Sequence, residues 1–538
     1  MKLNRDSLKN TLFWKQAGFE IPEYDPEQMS RKTCEEPAWI HFGGGNIFRG
    51  FIAALQQKLL NEGKAQKGII VVSPHDYEIV DQIYRPSGNL TLLVHMLPDG
   101  SLEKKVIGSI AESLVGDAAI ESYWQRLKEI FCKPSLQMAS FTVTEKGYAL
   151  TGISGEFIPD VKYDIENGPE KPKNLISKIT ALMYLRYGAG KLPMALVSMD
   201  NCSHNGDVLK NSIVTLAEKW VENGFADRGY LDYLNDGKKV SFPCTMIDKI
   251  TPRPSETVHK ALLDLGLEDI QIICTPKKTY ISQFVNAERP QYLVVEDDFP
   301  NGRPPLEAAG VYFTDKDTVD RVERMKVTTC LNPLHTALAV FGCLLGYKLI
   351  ADEMKDPALK KLVERIGYDE GMPVVVNPGI IDPGAFIAEV LNERFPNPFI
   401  PDTPQRIACD TSQKMPVRFG ETIKTYFRHP ALEAGNLTFI PLIIAGWCRY
   451  LTGVDDSGNK MELSPDPMLN ELTEYVKGVE LGKAGPAGDC LKPLLSNGRI
   501  FGMDLYEAGL GEKIEGYFAE MTAGKNAVRN VLEKLVGD

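Results

Sequence analysis

Three consecutive glycines, Gly43-Gly-Gly45, stand directly after the apolar run Trp39-Ile-His-Phe42 and shortly before an amphipathic stretch, Phe51–Asn61. A chain that leaves a strand through glycine and enters a helix at once has a recurrent use for that geometry. The first glycine makes the tight turn, the next lets the backbone come close to a bound pyrophosphate, and the helix N-terminus offers unpaired N–H groups to it. Gly43 and Gly45 fill these two positions. Asn46 and Arg49 follow on the first helical turn, where Arg49 is expected to add a charge-assisted phosphate contact. The third glycine of the usual Gly-x-Gly-x-x-Gly pattern is missing, because position 48 is Phe. Context supplies what the motif lacks, since it opens a strand–helix–strand run.

That run continues. Short β-branched stretches (Trp39–Phe42, Gly68–Ser73, Ala139–Thr144, Ala195–Ser198) alternate with helical ones (Phe51–Asn61, Ala119–Ile130, Asn211–Asn223), which predicts βαβ units and a largely parallel sheet. Beyond residue 315 helical periodicity takes over, as in Thr318–Leu349, Pro357–Ile366 and Pro404–Phe427, with Pro-rich connectors at Pro373–Pro383 and Phe395–Pro404. The expected fold is α/β: a Rossmann-like dinucleotide-binding domain over residues 1–315 and a mainly α-helical substrate-binding domain over 316–538, with a cleft between them. The second strand ends Ser73-Pro-His-Asp76. An acid there bonds a ribose 2′-hydroxyl and favours NAD over NADP without excluding NADP. Capping the next helix is the competing role for Asp76.

A net charge of −12 over 538 residues argues against a nucleic-acid partner but not against a small anion held by a few local cations. The longest apolar runs, Ala337–Leu345 and Phe439–Trp447, fall short of the ~20 residues that cross a bilayer. The start, Met1-Lys-Leu-Asn-Arg-Asp, carries charge where a signal peptide is apolar. Ten cysteines without a Cys-x-x-Cys pair fit a reducing cytoplasm. Cys202 and Cys330 read as packing residues.

Five further stretches carry chemistry in a fixed order. They are Ser140-Phe-Thr-Val-Thr-Glu-Lys-Gly-Tyr148, Ser198-Met-Asp-Asn-Cys-Ser-His-Asn-Gly206, Phe242-Pro-Cys-Thr-Met-Ile-Asp-Lys-Ile-Thr-Pro252, Asn332-Pro-Leu-His335 and Arg406-Ile-Ala-Cys-Asp-Thr-Ser-Gln-Lys-Met-Pro416. Together, and flanked by Pro22-Glu-Tyr-Asp25 and Trp447-Cys-Arg-Tyr-Leu, they make a chain that resembles the mannitol dehydrogenase family of polyol-specific long-chain dehydrogenases. The resemblance implies metal-free hydride transfer between a nicotinamide cofactor and a sugar acid or polyol. Lys326 is then the acid/base and Glu323 its proton-path partner. Asn201 and Asn332 polarise the reacting oxygen, and His335 touches substrate. Asp248, Arg406 and Lys414 match the other substrate-binding positions, and Thr144 and Glu145 join the cofactor pocket. Within the family the expected reaction is reduction of a keto-hexuronate, fructuronate to mannonate. Mannitol 2-dehydrogenase and tagaturonate reductase activities are the alternatives, and an NAD-dependent epimerase or a non-catalytic sugar-acid binder are those of another class. A monomer or loose dimer is implied.

The residue types agree with such chemistry. A secondary alcohol needs a base for its proton and neutral donors for the charge growing on oxygen. A lysine serves as that base once burial or a neighbouring cation brings it down from its ordinary ~10.4. Glu323 and Lys326 are i, i+3 neighbours, a spacing shared with ordinary surface ion pairs. Arg406 and Lys414, eight apart, are expected to share a helix face, and Arg418 to extend it. A metal reading of Asp200, His204 and Asp207 is the weaker one, because His204 and Asn205 suit a strand-to-helix turn. One spacing departs from the family: Lys326 and Asn332 are six residues apart instead of five. An extra residue in an α-helix rotates its neighbour by ~100°. Pro333, which cannot donate to the Thr329 carbonyl, predicts a π-type irregularity between residues 326 and 333.

Overall fold

Strand Trp39–Phe42 pairs on both edges inside a six-stranded sheet in which every pairing is parallel. The computed structural model describes residues 1–152, 154–483 and 487–537. Across the sheet the order is Ile110–Val115, Ile69–Ser73, Trp39–Phe42, Met138–Phe141, Met194–Ser198, Val240–Ser241. In chain order this is third, second, first, fourth, fifth, sixth, the doubly wound arrangement whose direction reverses beside Trp39–Phe42. Both faces are covered. Ile40, Phe42, Ile70, Val72 and Phe141 point into a core with Trp124, Phe131 and Trp220. Trp39, Ile69, Val71, Met138 and Val197 point the other way, against Phe48, Phe51 and Leu55. Burial on two faces is why these strands read as continuous apolar runs rather than alternating ones. The strand expected over Ala139–Thr144 stops at Phe141, because Thr142–Thr144 turn away from the sheet.

The chain divides into two compact units, Met1–Asp320 and Arg321–Asp538. The first also holds a four-stranded sheet built on Thr91–Met96 and Leu102–Ile107, and a three-stranded one of Thr245–Asp248, Tyr292–Glu296 and Tyr312–Thr314. The second unit is helical, organised on two largely buried helices, Asn332–Leu345 and Phe439–Tyr450. They approach closely because position 446 is glycine: a Cβ there would lie 3.0 Å from the Phe341 ring. Glu370 caps the second helix from a distance, accepting from the backbone N–H groups of Thr438, Phe439 and Ile440 at 2.5, 2.8 and 2.7 Å. From Lys316 to Leu345 helical structure runs 30 residues, long and apolar enough to cross a membrane by length and composition, which the separate apolar runs did not suggest. Its most apolar window is 78% buried inside the protein, so that surface is used for packing.

One expected helix is not continuous. Pro404–Phe427 is divided into Pro404–Ile407, Thr411–Met415, a π segment Pro416–Gly420 and Glu421–Arg428. The break falls at Asp410, whose φ of +52° lies in the left-handed region.

A buried acid gives the second unit a pH dependence. Glu353 is fully buried against Gly342, where a Cβ would sit 2.1 Å from Oε1, and neither carboxyl oxygen has a hydrogen-bond partner. Burial, reinforced by Asp356, Asp402 and Asp352, pushes this carboxyl up from 4.5 to about 10. The folded state therefore keeps a proton that the unfolded chain releases near pH 4.5. The resulting stability is fully present below that pH and is lost as pH rises towards about 10. Glu353→Gln removes the titration. Its stability should match wild type near pH 5 and exceed it up to pH 9 by roughly 1 kcal/mol more per pH unit, read as a growing difference in Tm. Parallel Tm-against-pH curves for the two proteins would show the acid to be ionised in the fold.

Candidate active site

In the first unit the expected cofactor residues sit where parallel strands end. Gly43 accepts the turn at φ +122°, and a Cβ there would lie 2.2 Å from the Thr142 carbonyl oxygen, so no other residue fits. Gly45 is exposed, with nothing within 4 Å of its Cβ position, which leaves its backbone open to a close approach. The role of the missing third glycine passes to Gly50, whose Cβ would meet Val285 at 3.0 Å and Thr251 at 3.3 Å. Phe48 opens a π segment, Phe48–Ile52, and stacks on His41 at 4.4 Å.

His41 organises the turn from below. Trp39 Nε1 donates to Ser140 Oγ at 2.7 Å, and the His41 ring nitrogens lie 2.7 Å from Ser140 Oγ and 2.8 Å from Thr142 Oγ1. Thr142 Oγ1 in turn donates to the Gly43 carbonyl at 3.2 Å. One proton arrangement satisfies every group: Ser140 donates to Nδ1, and Nε2–H donates to Thr142. It requires a neutral imidazole, and burial lowers this histidine to about 3.

Arg49 does not point at the open side of the turn. It is fully buried, with Nη1 donating to the Ser282 carbonyl at 2.6 Å and Thr91 Oγ1 at 3.3 Å, and Nη2 to Asn46 Oδ1 at 3.0 Å. Asn46 donates onward to the Pro252 carbonyl at 3.2 Å. The phosphate contact expected of Arg49 is replaced by an internal clamp, because the π segment turns its side chain inward. Asp76 accepts through Oδ2 from Thr275 Oγ1 at 2.7 Å and from Thr279 Oγ1, while Oδ1 is buried without a partner.

Thr144 has φ +66°, rare for a β-branched residue. It is held by Asp200, whose carboxylate accepts from the Val143 and Thr144 N–H groups at 2.8 and 3.0 Å and from Tyr148 Oη at 2.5 Å. Glu145 follows, exposed, at the start of a short 3₁₀ turn. Asn201 is exposed just after strand Met194–Ser198, and Asp248 ends strand Thr245–Asp248, buried. His204, at φ +51°, precedes helix Asn205–Glu222, and buried Asn205 donates to the Asp200 and Thr245 carbonyls. Asp207 pairs with Lys316 at 2.7 Å.

In the second unit Lys326 begins a π segment, Lys326–Cys330, and is 3% exposed. The Leu331 N–H donates to the Lys326 carbonyl five residues back at 3.1 Å, and Leu331 then leaves helical geometry at φ −132°. This is the irregularity that Pro333 predicted. The wider turn absorbs one residue and restores the phase that five residues give in an α-helix. Asn332 starts the next helix, and its side-chain amide makes no hydrogen bond among the described residues.

His335 lies over Phe395 at 5.1 Å, with Nε2 2.8 Å from Asp402 Oδ2. The other Asp402 oxygen pairs with Arg406, whose side chain is 65% exposed. Lys414 does not share a helix face with Arg406. It folds back across the break and donates to the Ile407 carbonyl at 3.0 Å and to that of Cys409. Arg418 faces helix Asn332–Leu345, donating to Thr336 Oγ1 at 2.5 Å. Burial and then Arg418 depress Lys414, and burial brings Arg418 down to about 10. Arg406 and Arg418 both act on His335, which burial holds below its ordinary value. Arg406 thus reaches His335 through Asp402, and Arg418 reaches Thr336 beside it, whereas Lys414 is turned to backbone carbonyls.

Residues 37–308 match the mannitol dehydrogenase Rossmann domain, and residues 318–522 the mannitol dehydrogenase C-terminal domain. The chain belongs to the mannitol dehydrogenase family. It is 54% identical to D-mannonate oxidoreductase of Thermotoga maritima, over 100% of this chain and 99% of that one. Identity to the D-mannonate oxidoreductase of Escherichia coli K12 is 31%, over 90% and 91% of the two chains. Among solved structures, Pseudomonas fluorescens mannitol 2-dehydrogenase in ternary complex with NAD and D-mannitol matches with a TM-score of 0.70 at 26% identity, covering 100% of this chain and 99% of that one.

A dinucleotide fits this mannitol dehydrogenase family Rossmann unit on three observations: the Cβ-intolerant turn at Gly43, the open backbone at Gly45 and the orphaned Oδ1 of Asp76. Sequence reasoning missed Asp200 as the pin of the Thr144 turn, although it stands next to Asn201, and missed Asp402 altogether. Gly43→Ala should destabilise the first unit by about 1–3 kcal/mol from backbone strain alone, measured by denaturant unfolding. Gly45→Ala should unfold like wild type yet weaken NADH binding about tenfold, read by fluorescence titration. Equal stability of the Gly43→Ala protein would contradict the turn as described.

Proposed function

We propose that the chain is an NAD-dependent reductase of a keto-hexuronate, converting fructuronate to mannonate by hydride transfer without a metal. The observation that carries this reading is the identity of 54% over the full length of a D-mannonate oxidoreductase. The link from Arg406 through Asp402 to His335 supports it, because a substrate carboxylate needs local cations in a chain of net charge −12. A neutral polyol is the second reading, favoured by the likeness to an enzyme solved with D-mannitol.

In this reading NADH, when bound, supplies the hydride that reaches the ketone carbon. Lys326 gives the proton to the carbonyl oxygen, so one hydride and one proton turn C=O into CH–OH. Asn201 and Asn332 donate N–H groups to that oxygen as its charge grows, and neutral amides do so without trapping it as a salt bridge. Glu323 returns a proton to Lys326. Arg406 and Lys414 grip the sugar carboxylate, while His335 and Asp248 bind hydroxyls. Gly43, Gly45 and Asn46 hold the pyrophosphate end of the cofactor, with Arg49 acting from behind the turn. Asp76 binds the adenosine ribose, which makes NADP the weaker cofactor, and Thr144 and Glu145 border the nicotinamide end. The protein works in the cytoplasm as a monomer or loose dimer.

The test is NADH oxidation followed by absorbance with fructuronate, tagaturonate and fructose, beside Lys326→Ala. Fructuronate should be turned over, and Lys326→Ala should lower kcat by about 10²–10⁴-fold, the usual worth of a general acid. Loss of less than threefold in the variant would remove Lys326 from the role. Turnover of fructose alone would replace the hexuronate by a polyol, and product without net NADH consumption would mark an epimerase.

A further inference from the structure

Asp402 stands apart from every role assigned above, yet both of its carboxylate oxygens are committed to groups that have one. Oδ2 lies 2.8 Å from His335 Nε2, a close polar contact set off the line of a full hydrogen bond, and Oδ1 pairs with Arg406. The carboxylate is 9% exposed, whereas the Arg406 side chain it holds is 65% exposed. Its backbone is fixed on both sides. The Asp402 N–H donates to the Ile400 carbonyl at 2.7 Å, and the Asp402 carbonyl accepts from the Ile350 N–H at 3.0 Å. Asp402 is thus a rigid anion between a ring and a long cation that would otherwise sample many rotamers.

We propose that Asp402 is a positioning residue for sugar-acid recognition, holding His335 in the Nε2–H tautomer with Nδ1 turned outward to accept from a substrate hydroxyl, and holding Arg406 in place for the carboxylate. This rests on the hexuronate reading. The surroundings suit the role. Phe395 packs on the imidazole at 5.1 Å and limits its rotation. Arg418, from segment Pro416–Gly420, and Arg406 oppose a charge on His335, while Asp402 favours one. Glu353, from helix Ile350–Glu353, is the carboxyl whose field meets that of Asp402. Kept protonated, it leaves Asp402 as the anion of the group. Burial works against ionisation of Asp402, but His335 and Arg406 hold its carboxyl below the ordinary carboxylate range.

The test is the near-isosteric Asp402→Asn, with two independent readouts. In steady-state kinetics it should raise KM for fructuronate by about tenfold or more, the scale of a lost charge-assisted contact. kcat should fall less than about threefold, and NADH affinity should not change. The pH dependence of KM should move to lower pH, because removing the carboxylate disfavours the imidazolium. Separately, ¹⁵N spectra of selectively histidine-labelled wild type, with His335 assigned through His335→Gln, should show the Nε2–H tautomer, and Asp402→Asn should show a mixture. An Nδ1–H tautomer in the wild type, or an unchanged KM and pH profile in the variant, would overturn the proposal. If wild type reduces no keto-sugar acid, the functional reading fails on its own, and the tautomer still decides whether Asp402 orients His335.

Discussion

The extra residue between Lys326 and Asn332 must be accommodated, and the helix takes it up as a π turn that leaves Lys326 buried at its start. Without that wider turn the helix would bring Asn332 and His335 round by about a quarter of its circumference relative to Lys326. The same device recurs. Among the described residues π segments also cover Phe48–Ile52, Val80–Tyr84, Arg365–Gly371, Val390–Arg394 and Pro416–Gly420. Each carries a polar side chain inward: Arg49, Tyr84, Glu370, Arg394 and Arg418. A wider turn leaves carbonyls unpaired and opens space on the inner face, which favours polar groups at such positions. In the second unit three of these segments reach the groups that matter: Lys326 itself, the cap on helix Phe439–Tyr450, and the cation against Thr336.

Charge follows a second rule that overall composition hides. Arg186 and Arg449 are completely buried in an acidic protein and are satisfied chiefly by backbone carbonyls. Arg186 alone ties Phe131, Lys133, Leu136, Leu192 and Pro193 together, closing the ends of neighbouring strands and helices. Five fixed donors on a planar group suit that task better than an ammonium would. Against this background an arginine's functional weight depends on what it leaves uncovered. Arg49, with the same burial, belongs with the clamps. Arg406, anchored at one point and otherwise exposed, belongs with the binding groups.

These two rules explain what was legible in the sequence. Strand Trp39–Phe42 falls where its apolar run falls, since a strand covered on both faces needs nothing except apolar residues and a glycine to end it. The irregularity after Lys326 was legible too, because a proline and a shifted spacing are local facts. Pro404–Phe427 was misread as one helix because its periodicity survives the break. Only the left-handed Asp410 and the returning amine of Lys414 reveal the interruption, and both depend on neighbours rather than on pattern.

Carboxylates were the least legible group. Asp200 reads as a possible metal ligand and Asp402 falls in no motif, yet each holds a residue far away in the chain, Thr144 and His335. Asp200 holds Thr144 in a conformation that a β-branched residue avoids, and Asp402 joins an imidazole to a guanidinium. A carboxylate with two acceptor atoms is well suited to such bridging, because each oxygen can be committed to a different element. The requirement is that both partners already be positioned by packing, as Phe395 positions His335 and as the strand end positions Thr144. Pairing then refines an arrangement the fold has made: the four-residue spacing of Asp402 and Arg406 shows in the sequence, but the contacts to His335 and Thr144 leave no trace in motif spacing.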